Sequence, residues 1–151
     1  MELSKLKTIG ATGSPLSEDA FIWLQDKLPK TQIISLSGGT DVCSAFIGGC
    51  TMLPVYSGYL QCNMLGAAIE AWDENKKPIL NQTGELVITQ PLPSMPVFFW
   101  NDPDFKKYHS SYFEKNKGVW THGDWIHIDP KKGIVMQGRS SRMRTNRIKV
   151  S

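Results

Sequence analysis

The chain has 151 residues, 40% of them hydrophobic and 21% charged, which is enough for one domain with a core and unlike a membrane-embedded or compositionally disordered sequence. Its formal charge of +3 is unevenly spread: Arg139, Arg142, Arg144, Arg147 and Lys149 form a basic run without an acid, so the residues before Arg139 sum to −2. No apolar run is long enough to span a bilayer, residues 1–7 lack the apolar core of a signal peptide, and Cys43, Cys50 and Cys62 are odd in number with no Cys-x-x-Cys pair, which argues against a disulfide framework or zinc site and for buried or half-buried free thiols in a reducing, cytoplasmic setting.

In chain order, Gly10-Ala11-Thr12-Gly13-Ser14-Pro15-Leu16 reads as a glycine-containing turn ahead of a helix. Ser17-Glu18-Asp19 is a helix start, a capping hydroxyl followed by two acids where the helix dipole favours them. Ala20, Phe21, Leu24 and Leu28 share one helical face, and Pro29 ends the element. Gln32-Ile33-Ile34-Ser35-Leu36 reads as a buried strand, and it empties into the small-residue turn Ser37-Gly38-Gly39-Thr40-Asp41. Helix, short loop and apolar strand make an α/β unit. The stretches 45–49 and 52–55 are apolar but broken by glycine and proline and are expected to be irregular.

Strand-like runs follow at 67–72 and 85–89, separated by the polar turn 73–78. The prolines of 91–96 exclude a central strand. Phe105, Tyr108 and Tyr112 have helical spacing. Residues 119–122 and 125–128 read as two strands parted by Gly123-Asp124, then Asp129-Pro130-Lys131-Lys132-Gly133 as a hairpin turn, then 134–137 as the last strand. The expected architecture is α/β: an edge unit followed by a small mostly-β subdomain, a meander or distorted barrel.

Four polar-glycine clusters could carry chemistry, and each has a plainer reading as an ordinary turn. Gly13, Ser14 and Pro15 could let backbone approach a ligand. Ser37, Gly38 and Gly39 could turn amides toward an oxyanion, while a hydroxyl beside a carboxylate, Thr40-Asp41, suits phosphate and a hard divalent cation. Such a turn after a strand sits where open α/β sheets bind ligands. Asp124, in His122-Gly123-Asp124-Trp125, could accept two vicinal ribose hydroxyls. Arg139 offers a planar donor fork for ribose or phosphate, or is simply a surface arginine. His109, His122 and His127 lack the spacing of a ligand set. The five tryptophans are expected in packing. The basic run has no interleaved aromatic residues, so it reads as a solvated end, and nucleic-acid binding is the weakest reading.

Taken together the four clusters, with Pro93-Ser94-Met95-Pro96-Val97 and Gly118-Val119-Trp120-Thr121-His122-Gly123-Asp124, resemble the carboxyl-terminal part of the large domain of adenylate-forming acyl-CoA synthetases, specifically their acetoacetate-activating branch. The resemblance covers roughly residues 6–139. It implies residues 1–137 as part of an AMP-binding domain and 138–151 as a hinge-like basic tail. It implies a ligase that uses acetoacetate, ATP, Mg2+ and CoA through an acyl-adenylate, in the cytoplasm, drawing on a ketone-body acid for lipid and fatty-acid metabolism. Carried over by residue, Gly13, Ser14 and Pro15 would line the adenine, and Ser37, Gly38 and Gly39 would flank the adenylate and acyl pocket. Thr40 would bond the α-phosphate as the catalytic hydroxyl, and Asp41 would help hold magnesium. Asp124 would take the ribose hydroxyls with support from Arg139. Acetyl-activating relatives place an aromatic where Gly38 stands, so the resemblance also implies Gly38 as the gauge of a longer acyl pocket.

The departures are specific. The glycine- and Ser/Thr-rich phosphate loop and the small lysine-bearing domain are not in these residues, and Ser141 stands where the family has an aspartate after Gly-Arg-Ser. Turnover by these residues alone is therefore not expected. A non-catalytic chain that at most binds adenylate or a partner is the alternative. An α/β edge outside its sheet is also expected to expose strand groups and apolar surface.

Overall fold

The computed structural model, which describes residues 3–140, begins with a β-α-β unit. Strand β1 (Thr8–Ala11) and strand β2 (Gln32–Ser35) run parallel, in register from Thr8 opposite Gln32 to Ala11 opposite Ser35. Gly10 and Ala11 therefore lie in a strand and not in the expected turn. Between the two strands, helix α1 (Glu18–Lys27) starts where the sequence signals it: the Ala20 amide donates to Ser17 Oγ at 3.3 Å, with Glu18 and Asp19 in the first turn. Phe21 is buried, and Ala20, Leu24 and Leu28 are half-buried beside it. Strand β2 is not buried throughout. It alternates, with Ile33 and Ser35 buried and Gln32 and Ile34 half-buried.

The small-residue stretch after Leu36 is a strand as well. β3 (Ser37–Gly39) pairs antiparallel with β4 (Ser44–Gly48), and β4 pairs with β5 (Cys62–Asn63). The turn itself is displaced to residues 40–43, closed by the Cys43 amide donating to the Thr40 carbonyl at 3.1 Å. Residues 45–48 are thus a strand where irregular chain was expected; their glycine does not interrupt it because Phe46 and Ile47 bury into the core. Residues 52–55 are irregular, as expected. That loop is tied down by buried Gln61, whose amide donates to the Leu53 carbonyl at 2.8 Å and accepts from the Cys50 amide at 3.1 Å.

The second half is a meander: β6 (Ile69–Trp72), β7 (Thr83–Ile88), β8 (Trp120–Asp129) and β9 (Gly133–Arg139), each antiparallel to the next, with helix α2 (Lys106–Tyr112) between β7 and β8. Helix α2 begins at Phe105 with no side-chain cap there; the buried Asp102 carboxylate takes over, accepting from the Lys107 amide at 3.0 Å and the Tyr108 amide at 2.9 Å. Burial opposes the charge on Asp102, but these bonds prevail and hold its carboxyl below the ordinary range. The hairpin before β9 is an Asp turn, the Lys131 amide donating to Asp129 Oδ1 at 2.8 Å.

Residues 119–128 do not form two strands. β8 is continuous and bulged: residues 122–124 lie between the pairs Thr121–Val87 and Trp125–Glu85, where the partner strand supplies only Leu86. Gly123 takes the positive φ of 83° at this bulge. Nor do the described strands close into a barrel. β6 and β9 are the outer strands of the meander, and a Leu60–Ile134 bridge, with both hydrogen bonds at 2.8 Å, joins β9 to the β3–β5 sheet. Both sheets share one core, built around Phe46, Ile47, Leu86, Ile88, Trp120 and Ile126. Trp120 is packed as expected, stacked on Tyr112 with centroids 3.6 Å apart, whereas Trp23 and Trp100 are 61% and 92% exposed. Cys43 is exposed rather than buried, and the three thiols are free. β9 carries Gly138 and Arg139 into the sheet; the expected tail from Ser141 onward lies outside the described residues.

Candidate functional site

A cavity of about 600 Å³ opens where the β-α-β unit meets the end of the meander. Four separated segments line it. After β1 come Gly13, Ser14 and Pro15; from β3 and its turn come Ser37, Gly38, Gly39 and Thr40; the β8 bulge supplies Asp124 and the end of β9 supplies Arg139. Nine residues singled out from four distant clusters are therefore gathered around one space. Asp41 is the exception. Its exposed carboxylate lies outside the lining and accepts a hydrogen bond from the Tyr112 hydroxyl at 2.6 Å.

The strand arrangement explains this convergence. β1 and β2 are parallel, so their carboxyl ends point the same way, and the chain leaves both toward the cavity. The bulge in β8 bends that strand and brings Asp124 opposite Arg139. The Arg139 Nε lies 3.3 Å from Asp124 Oδ1. Burial pushes the Asp124 carboxyl up, Arg139 pulls it down, and the charge of Glu85 pushes it up again. Both groups therefore lie ready for a polar ligand, the carboxylate as acceptor and the guanidinium as donor.

Gly38 is also constrained by its hairpin partner. A Cβ on Gly38 would lie 2.2 Å from the Ser44 carbonyl oxygen and 2.8 Å from the Ala45 Cα. Its missing side chain is required by the close approach of β4, at the register shift between Ser37 and Gly38. A larger side chain there would strike the β4 backbone unless the hairpin shifts.

Several residues of the site are not visible as motifs. Leu60 and Met136 give the cavity an apolar flank. His122 has no metal-ligand spacing in the sequence, and among the described residues no group of three His, Cys, Asp or Glu side chains could hold a metal ion. It is 4% exposed, 3.4 Å from Asp124 Oδ2 through Nε2, and edge-on to Phe46 with centroids 4.6 Å apart. Burial, aided by the charge of Arg139, drives its pKa down to about 4 against the Gly38 carbonyl and Asp41. His122 is therefore neutral at pH 7 and its contact with Asp124 is not an ion pair.

No protein-family model matches the chain. Its fold matches part of a solved CoA ligase: the anthranilate CoA ligase AuaEII, crystallised with anthranoyl-AMP, superposes with a TM-score of 0.74 over 91% of this chain and 25% of its own, at 17% identity. At that identity the likeness speaks for the fold alone.

The sequence goes further. Acetoacetyl-CoA synthetase from Streptomyces lividans is 48% identical with a TM-score of 0.85, over 91% of this chain and 22% of its own. The acetoacetyl-coenzyme A synthetase of Rhizobium meliloti (strain 1021) is 45% identical over 140 residues, 92% of this chain. That of Gallus gallus is 46% identical over 140 residues, 91% of this chain. The chain is thus a homologue of acetoacetyl-CoA synthetases that spans about a fifth of the length of the relatives it matches.

Proposed function

We propose that these residues form one wall of the adenylate site of an acetoacetate–CoA ligase. The observation that carries the reading is the convergence of four sequence clusters, which together resemble such enzymes, around one cavity of about 600 Å³. In this reading Gly13, Ser14 and Pro15 border the adenine, and Asp124 accepts the ribose hydroxyls while Arg139 steadies it from 3.3 Å. The Thr40 hydroxyl donates to the α-phosphate, and the amides of Ser37, Gly38 and Gly39 border the acyl group. Positioning and charge neutralisation are the means of catalysis.

The residue types also fit magnesium. Mg2+ is commonly held by one or two carboxylates together with substrate phosphates, so a single Asp41 next to Thr40 is a sufficient protein share. Asp41 would hold the ion through the oxygen that Tyr112 leaves open, and the ion would neutralise phosphate charge. The overall reaction joins acetoacetate to ATP with release of pyrophosphate, and CoA thiolate then displaces AMP.

A second reading is a chain that holds adenylate without turning it over. Calorimetry with AMP and an assay for acetoacetyl-CoA separate the outcomes. AMP binding that is weakened in Asp124→Asn, without product formation, is expected of the 151-residue chain. Product formation by that chain would sink the second reading, and failure to bind AMP would sink both. No helix of the described residues is long and apolar enough to cross a membrane.

A further inference from the structure

Resting on the nucleotide reading above, we propose that His122 is a positioning residue, an imidazole that braces the Asp124 carboxylate against the Gly38–Gly39 edge of β3 and so sets the distance between two walls of the cavity. The hydrogen bonds assign its tautomer. The Trp120 indole N–H lies 3.3 Å from His122 Nδ1. An indole nitrogen can only donate, so Nδ1 presents its lone pair and the ring proton sits on Nε2. That nitrogen is 3.4 Å from Asp124 Oδ2, and the imidazole also meets the Gly38 backbone.

The ring has little freedom to leave this position. Phe46 packs against it edge-on, and its Cε1 lies 3.0 Å from where a Cβ on Gly39 would stand. Trp120 is itself 1% exposed and stacked on Tyr112. Asp124 then has a nitrogen beside each oxygen, Arg139 Nε at 3.3 Å from Oδ1 and His122 Nε2 at 3.4 Å from Oδ2, and keeps lone pairs for two hydroxyls. A carboxylate restrained in this way meets a cis-diol in one orientation, which is what discrimination for ribose requires. The Gly39 position is tight for the same reason: a Cβ there would make the imidazole give by a few tenths of an ångström.

The test uses the 151-residue chain. Histidine 15N spectra should show the Nε2–H form of His122; an Nδ1–H form would overturn the assignment. Calorimetry with AMP and 2′,3′-dideoxyadenosine monophosphate should show a preference for AMP that Asp124→Asn abolishes. His122→Leu should cut that preference about tenfold with little change in affinity for the dideoxy compound, and His122→Gln, which keeps a donor near the same place, should restore most of it. Added to Asp124→Asn, His122→Leu should cost nothing more, since the effect runs through that carboxylate. Wild-type preference in His122→Leu would refute the role of His122 while leaving the nucleotide reading standing. Absence of any AMP preference in the wild type would remove both.

Discussion

The two halves of the molecule solve the problem of burial differently. The meander and the β3–β5 sheet cover each other and enclose a common core in which Phe46, Ile47, Leu86 and Ile126 are fully buried. The β-α-β unit has only Phe21 and Ile33 buried among its large apolar side chains, and both stand outside that core. Its helix turns Ile22 and Trp23 to solvent, each 61% exposed, and its sheet has two strands where parallel sheets are ordinarily wide and covered on both faces. The lesson concerns the cavity between them: one wall rests on a self-sufficient core and the other on a loosely supported edge. A ligand that spans both would draw the edge into order.

The largest expected effect tests the stronger half. Trp120→Ala removes the side chain on which Tyr112 stacks and from which His122 accepts its hydrogen bond. It should cost about 3–5 kcal/mol and abolish cooperative urea unfolding at 25 °C, followed by far-UV circular dichroism. A loss confined to the β-α-β unit would show that the meander is not the dominant core.

Next comes acid. In the unfolded chain His122 takes up a proton near its ordinary pKa of 6.5, and in the folded chain only near 4. Between those values the unfolded state binds more protons, so stability rises with pH and is lost as pH falls from about 6.5 to 4. The full term is about 3 kcal/mol. The raised carboxyl of Asp124 works in the opposite direction, gaining stability as pH falls through its folded value. The His122 contribution is therefore the difference between wild type and His122→Leu, measured by urea titration at pH 7 and pH 4. Equal pH slopes in the two proteins would contradict it.

These residues also mark the limit of what could be read without coordinates. Helix α1, strand β7, helix α2 and the Asp129 hairpin were legible because each carries a local cause: a capping serine, a β-branched run, aromatic spacing or an Asp turn. Strands β1, β3 and β4 were not, because their glycines and short lengths look like turns until a partner strand is present. The bulge at Gly123 looked like a break between two strands for the same reason. In the site, four clusters in register with a known family led to nine lining residues. His122 and Tyr112 were missed because their meaning lies in contacts: Tyr112 meets Asp41 across 71 positions, and His122 is defined by its neighbours rather than by any spacing. The close approach of β4 to Gly38 was not legible either, since only the hairpin partner reveals what a side chain there would strike.

Gly38→Ala tests the junction of the two halves. The added methyl would meet the β4 backbone, whose carbonyl cannot move without loosening the hairpin. A loss of about 1–3 kcal/mol is expected, with amide exchange of residues 44–48 accelerated before that of β7 and β8. An unchanged unfolding midpoint would show that the hairpin yields and would favour Gly38 as a gauge of the pocket.

The smallest effect belongs to the weaker half. Ser17→Ala removes the oxygen that accepts from the Ala20 amide, a loss of about 1 kcal/mol for a helix cap. Were the chain one cooperative body, that amount would lower the midpoint of every probe equally. With the β-α-β unit supported as lightly as its burial implies, the loss should instead appear as faster amide exchange in β1, α1 and β2, with the protection of β7 and β8 unchanged. A saturating adenine nucleotide should reverse it, because a ligand held by Gly13, Ser14 and Pro15 on one wall and Asp124 on the other stabilises only the state in which the walls are joined. Uniform acceleration throughout the chain would mean that the β2–β3 connection and the hydrogen bonds from Gln32 Nε2 to the Cys50 carbonyl and from Ser57 Oγ to the Glu18 carbonyl couple the halves more tightly than their buried contacts indicate.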